Sequence, residues 1–262
     1  MFDFHKYYEV ESNIKVSDWV VERCVGPKDT LNTVVPSGFS GYARICHPFW
    51  YVDAIDQDDE ESWKALRAGW VDMEKMHPVR WSEIAKQNDH IAHRLMASFQ
   101  IWSNTQHAPG SAGIGPPLEG CLTKGMVKEI FEILISLHGE SQEVQCAFWE
   151  GFNISEYLCA KEKFESSPGL GYHYLFKSSL SMVRDGWMAV LKSIEDRRSI
   201  GTNGLAPNSI WASDKSWFLA VPFNLTSSYI GGSEELIGRI SSSLHLETYE
   251  VFPGDKIFIY KK

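Results

Sequence analysis

The chain has 262 residues, 44% of them hydrophobic and 23% charged, and a formal net charge of −9. That apolar fraction is enough for a packed core and excludes a disordered chain. The acidic balance argues against nucleic acid and anionic membranes as partners, since both attract proteins through a positive field; the densest cationic spot, Arg197-Arg198, directly follows Glu195-Asp196.

Residues 1–41 carry no clear periodicity. The opening MFDFHKYYEV has no basic region followed by an apolar run, so it does not read as a signal peptide. Tyr42 to Phe49 alternates as a strand, with Ala43, Ile45 and His47 on one face and Tyr42, Arg44 and Cys46 on the other; Pro48 ends it or places it at a sheet edge. Asp56 to Met76 reads as a helix, opened by acidic residues and carrying Trp63, Leu66, Trp70 and Met73 at helical spacing. A short helix near Ser82 to Gln87 follows, and Ile91, Leu95, Phe99 and Trp102 mark a third. The stretch 103–120, SNTQHAPGSAGIGPPLEG, is too rich in Gly and Pro for a regular element and reads as a long loop or a lobe boundary.

Thr123 is placed to cap the clearest helix in the chain. Met126, Val127, Ile130, Phe131, Leu134 and Leu137 form its wide apolar face, Lys124, Lys128 and Glu132 its polar face, and Gly139 its end. Beyond it QCAFWEGF, YHYLFKSSL, SWFLAVPFN, LETYEVF and KIFIYKK read as strands. A helical first half packed on a mainly antiparallel sheet from the second half makes this an α+β protein, expected as a single domain over residues 1–262.

The five cysteines are Cys24, Cys46, Cys121, Cys146 and Cys159, an odd number with no CxxC. Neither a disulfide framework nor zinc-ligand spacing is present, which points to free thiols in a reducing cytoplasm. Ten tryptophans are unusual in a chain of this length, and large core side chains account for them better than sugar stacking does.

Few residues suggest chemistry. Gly231-Gly232-Ser233 precedes a short helical pattern, yet no Lys follows the glycines as in a Walker A loop, and GxGxxG is absent. Glu234 and Glu235 occupy the first turn and repel a phosphate, so the segment reads as a tight strand-to-helix turn capped by Ser233. His90 and His93 have i, i+3 spacing but no identifiable third ligand, and no metal or other cofactor is expected. His47 and His77 each precede Pro, and neither has a nucleophile beside it in sequence; Cys46 and His47 face opposite ways in a strand. The strongest catalytic candidates are Glu150 and Asp214, a pair of carboxylates for general acid–base work on a sugar-like or small polar substrate, with Trp149, Trp211 and Trp217 as binding residues.

At GYARICHP, RWSEIA, CAFWEGF and PNSIWASDKSWFLAVPFNLTSSYIGGSEEL the chain resembles a family of uncharacterised bacterial proteins common in actinobacteria, over roughly residues 36 to 255. The resemblance implies one contiguous module and names no reaction. Members of that family often carry two tryptophans before the acidic pair near Asp214, and Glu-Ile-Asp where this chain has Pro222-Phe223-Asn224. The resemblance therefore implies that any chemistry resting on those acids is lost here.

Taken together, the residues favour a non-catalytic module for protein interaction, of the immunity type, with a basic protein as partner. The alternative is a hydrolase acting through Glu150 and Asp214. A concave site holding both carboxylates separates the second reading from the first.

Overall fold

The computed structural model describes residues 3–52, 76–102, 114–152, 162–166, 171–196 and 205–257. The helix expected over residues 56–76 falls outside them except for Met76, which opens a strand. Cys159 and residues 103–113 also lie outside the described residues.

The strands are β1 (Glu9–Val10), β2 (Gly41–Cys46), β3 (Phe49–Val52), β4 (Met76–Val79), β5 (Ile114–Gly115), β6 (Glu143–Trp149), β7 (Lys163–Glu165), β8 (Tyr172–Ser179), β9 (Ser209–Ala212), β10 (Phe218–Ala220), β11 (Ser227–Gly232) and β12 (Thr248–Glu250). The helices are α1 (Asp18–Arg23), α2 (Trp81–Gln87), α3 (Ser98–Trp102), α4 (Lys124–His138), α5 (Leu180–Asp196) and α6 (Glu234–Ser242). The fold is α+β. Among the described residues, nine strands form one sheet in the order β1-β8-β6-β9-β10-β11-β2-β12, with β7 also on β8, and β4-β3-β5 form a second sheet. Every strand pair in both sheets is antiparallel.

The large sheet takes most of its strands from the second half of the chain, as the sequence predicts; β1 and β2 join it from the first. Both of its faces are covered, so its strands alternate between two cores rather than between core and water. On one face Ala43, Ile45, Val144, Cys146, Phe148 and Phe176 meet three helices, among them the predicted apolar face of α4. There α4 contributes Ile130, Phe131 and Leu134, α5 Val183 and Trp187, and α6 Leu236 and Ile240. Each such fully buried side chain contributes roughly 1.5–3 kcal/mol relative to exposure. On the other face Tyr42, Ala147, Leu175, Trp211 and Phe218 pack against Trp19, Val20, Leu31 and Val35.

The local signals explain the helix ends. Thr123 Oγ1 accepts the N–H of Met126 at 3.2 Å, and Gly139 stops α4 with φ at +86°. β2 ends at Cys46, before Pro48, and the chain resumes as β3 in the small sheet. Between β2 and α4 lies a lobe made of β3, β4, β5, α2 and α3, with its own cluster of Phe49, Trp81, Ile84 and Ile101.

Two expectations need correction. The third helix spans only Ser98–Trp102. Asp89 turns the chain at φ 56°, Ile91 is 86% exposed, and the carbonyls of Arg94 and Met96 accept from the Arg44 guanidinium at 2.9 and 2.7 Å instead of from helical N–H groups. The last predicted strand, KIFIYKK, lies outside the described residues from position 258 on; within them Lys256 makes an isolated bridge to Thr30. A 17-residue helix, α5, follows β8 directly, where the sequence reading ends the strand YHYLFKSSL and assigns no element. Its signal was present in Leu180, Val183, Trp187 and Leu191, all buried at helical spacing. No Gly or Pro separates it from β8, so the strand pattern hides its start.

Candidate functional site

Strand pairing decides the carboxylate pair. Glu150 follows the C-terminal end of β6, in a short 3-10 turn over Glu150–Phe152. β6 pairs antiparallel with β9, Val144 opposite Ala212 and Ala147 opposite Ser209, so the β9–β10 hairpin tip lies at the other end of β6. At that end Ser213 N–H donates to Glu143 O at 3.0 Å. A seven-residue strand at about 3.3 Å per residue puts Glu150 and Asp214 roughly 20 Å apart. Paired carboxylates of glycoside hydrolysis stand about 5–10 Å apart. The structure does not bring the two together, and each is spent locally. Glu150 holds Lys163 at 2.7 Å, and Asp214 accepts the Ser216 N–H at 2.9 Å inside the hairpin turn, where Lys215 has φ 64°.

Two of the three candidate tryptophans are core. Trp211 stacks on Phe218 with centroids 5.6 Å apart and meets Trp19 edge-on. Trp217 lies on the opposite face of the sheet, in the helix-side core, and donates from Nε1 to Gln142 Oε1 at 3.0 Å. Neither offers a surface to a ligand.

Trp149 is half-buried and sits in a built aromatic cluster. It stacks flat on Phe223 at 3.9 Å and 10° and meets Phe152 edge-on at 5.2 Å. Glycines make the room: a Cβ on Gly151 lies 2.2 Å from the indole, and one on Gly171, already at φ +81°, lies 2.7 Å from Nε1. The Phe223 ring closes over Trp149.

Beside this cluster is a group that the sequence reading missed. His173 stands opposite Trp149 in the β6–β8 register. It is 5% exposed, its Nδ1 has no hydrogen-bond partner, and burial pushes its pKa down to about 4 against upward pulls from the Gly171 backbone and Glu150. The ring is therefore neutral at physiological pH and suited to hydrogen bonding rather than to carrying charge. The alternation in YHYLF puts His173 on the face of Leu175, the one signal for its burial.

His47 also gains partners that sequence does not show. Nε2 is 2.8 Å from Ser228 Oγ and Nδ1 is 2.8 Å from Leu118 O. A carbonyl only accepts, so Nδ1 carries the hydrogen and Nε2 accepts from the serine hydroxyl. That is the polarity of an activated serine, yet His47 and Ser228 are both 0% exposed; the pair is sealed in the structure. Nearby, Arg44 lies over the Trp81 ring at 4.7 Å and donates from Nε to Ser227 Oγ at 2.9 Å. The Glu247 carboxylate accepts the Ser82 N–H at the start of α2 at 2.8 Å.

His90 and His93 are exposed and lie in irregular chain after α2 rather than on one helix face. Among the described residues, no three His, Cys, Asp or Glu side chains gather as a metal site. Gly231 and Gly232 are strand residues, paired with Tyr42 and Gly41, so the expected tight turn is not there. Neither has a positive φ; the need is space, since a Cβ on Gly231 lies 2.5 Å from the Phe39 ring. Ser233 caps α6 as expected, accepting the Leu236 N–H at 3.2 Å. The four described cysteines are free. Burial raises Cys24 to about 12 and Cys46 to about 11, which keeps both as inert thiols.

No protein-family model matches the chain, and no curated protein or solved structure does either.

Proposed function

We propose that this chain is a non-catalytic interaction module of the immunity type, which works in a reducing cytoplasm by binding a basic protein partner. The observation that carries the reading is an acidic end of the large sheet. Asp214 and Glu235 both act on the His138 ring through their charge, and Glu143 bonds Ser213 Oγ at 2.9 Å, beside Asp214. Carboxylates from the β9–β10 hairpin and the first turn of α6 therefore face the end of α4, with Glu143 of β6 beside the hairpin and Glu235 also paired with Arg239 at 2.9 Å. A net charge of −9 supports the same sign of partner. Such a field steers a basic protein and fixes its orientation more than it adds raw affinity.

The test is affinity purification from the native host at about 50 mM and 300 mM salt, with the double variant Asp214→Lys, Glu235→Lys alongside. The expected result is a stoichiometric basic protein retained at the lower salt and lost by the variant. An acidic partner, or a basic one held equally by the folded variant, contradicts the proposal.

A further inference from the structure

Four hydrogen bonds leave His47, to three different segments. Its N–H donates to Thr226 O at 3.1 Å, Nδ1–H to Leu118 O at 2.8 Å, its Nε2 accepts from Ser228 Oγ at 2.8 Å, and its carbonyl accepts the Trp81 indole N–H at 2.6 Å. Thr226 and Ser228 belong to the large sheet and its lead-in. Trp81 belongs to α2, and Leu118 to the connector after β5. His47 itself sits where the chain passes from β2 into β3, ahead of Pro48. His47 thus carries four of the bonds at the junction of lobe and sheet, alongside those of Arg44, Glu247 and Arg94.

The bonding works for a neutral ring only. A proton on Nε2 turns Ser228 from donor to acceptor and leaves the serine hydrogen to find a new partner where exposure is 0%. The new cation also meets the Arg44 guanidinium, which already disfavours it. The charged and titratable groups on the elements around it are few. Its own strand carries Arg44 and Cys46, and β11 carries Tyr229. Beside α2 stand Glu247 and Tyr249, hydrogen-bonded to each other at 3.1 Å, and Glu247 is further held by the Trp81 and Ser82 N–H groups. Glu83 and Lys86 of α2 are exposed, and Glu119 follows Leu118 on the connector.

We propose that His47 is a proton-controlled latch: neutral, it pins the lobe of β3–β5, α2 and α3 to the large sheet, and protonated, it releases that lobe while the sheet and its helices stay folded. Release uncovers Arg44, which the lobe's Arg94 and Met96 carbonyls now hold, so the open form presents a cation that the closed form hides. Burial, which holds the closed ring near pH 4, sets the acid range in which the latch opens.

Hydrogen exchange read by NMR tests this. With an open-state imidazole near 6.5, the opening constant rises about 100-fold from pH 7 to pH 4. Protection factors in α2 and β3 are expected to fall by that factor while those in α4 and β6 stay higher throughout. The fall is expected to vanish in His47→Gln and to persist in His173→Gln. Equal protection in lobe and sheet at each pH, or an unchanged fall in His47→Gln, overturns the proposal. If His47→Gln does not fold, the unmodified protein decides: the His47 ring and the Trp81 indole N–H must titrate with one midpoint, and separate midpoints overturn it.

Discussion

On the helix-covered face of the large sheet, α4 and α5 lay Ile130, Phe131, Leu134 and Val183, each 0% exposed, against the strands. At the junction around His47 the buried polar groups are an imidazole, a guanidinium and the hydroxyls of Ser227 and Ser228, set beside Cys46, Phe49 and Trp81. The first region is held by area and dispersion, which are non-directional and degrade in proportion to what is removed. The second is held by directed bonds whose loss strands a partner, so it fails in steps. The same difference explains why the helix face is legible in sequence and the junction is not.

The largest effect expected from this comparison lies in the apolar region. Phe131→Ala removes a fully buried ring that packs edge-on against Trp187 at 6.1 Å and is expected to cost about 4 kcal/mol in urea unfolding. A cost under about 1 kcal/mol would mean that α4 does not carry the core.

The next effect is a pH dependence, and its sign is fixed. His47 and His173 are both lowered to about 4, below an unfolded value near 6.5. Between those values the unfolded chain binds the extra protons, so stability is complete above about pH 6.5 and is lost as pH falls toward 4. Each ring accounts for roughly 3 kcal/mol over that window. Urea midpoints from pH 7 to pH 4 check it, and His173→Gln is expected to remove one ring's share of the slope.

A smaller effect tests the caps. Thr123→Ala and Ser233→Ala each leave a first-turn N–H without its side-chain acceptor, and each is expected to cost about 1 kcal/mol. The smallest concerns the separated carboxylates. Glu150→Gln and Asp214→Asn are expected to change stability by under about 0.5 kcal/mol each and to be additive in the double variant, as sites roughly 20 Å apart are. A coupling energy above about 1 kcal/mol would contradict the strand register that separates them.

What sequence made visible was periodic and local. The α4 face, its Thr123 cap and Gly139 stop, the Pro48 strand end and the Ser233 cap all follow from residues within a few positions of one another. The alternation at Ala43 and Ile45 likewise matches the helix-side core. The candidate site failed for the opposite reason. Asp214 and Glu150 are 64 positions apart in sequence, and only the β6–β9 register shows that they face opposite ends of the sheet. Ser228 reaches His47 across a sequence separation of 181 residues, which no motif records. Gly231 shows a third case: its type marked a special position correctly, but the cause is the Phe39 ring rather than a turn.

The proposed role of the acidic end is tested most directly by the association rate with the proposed basic partner, measured by stopped flow at about 50 to 500 mM salt. The rate for the unmodified chain is expected to fall steeply across that range, and Asp214→Lys, Glu235→Lys to lower it about tenfold or more at the low-salt end with a flatter salt dependence. A rate that is independent of salt and unchanged in the folded double variant would contradict the assignment of this end of the sheet as the binding surface.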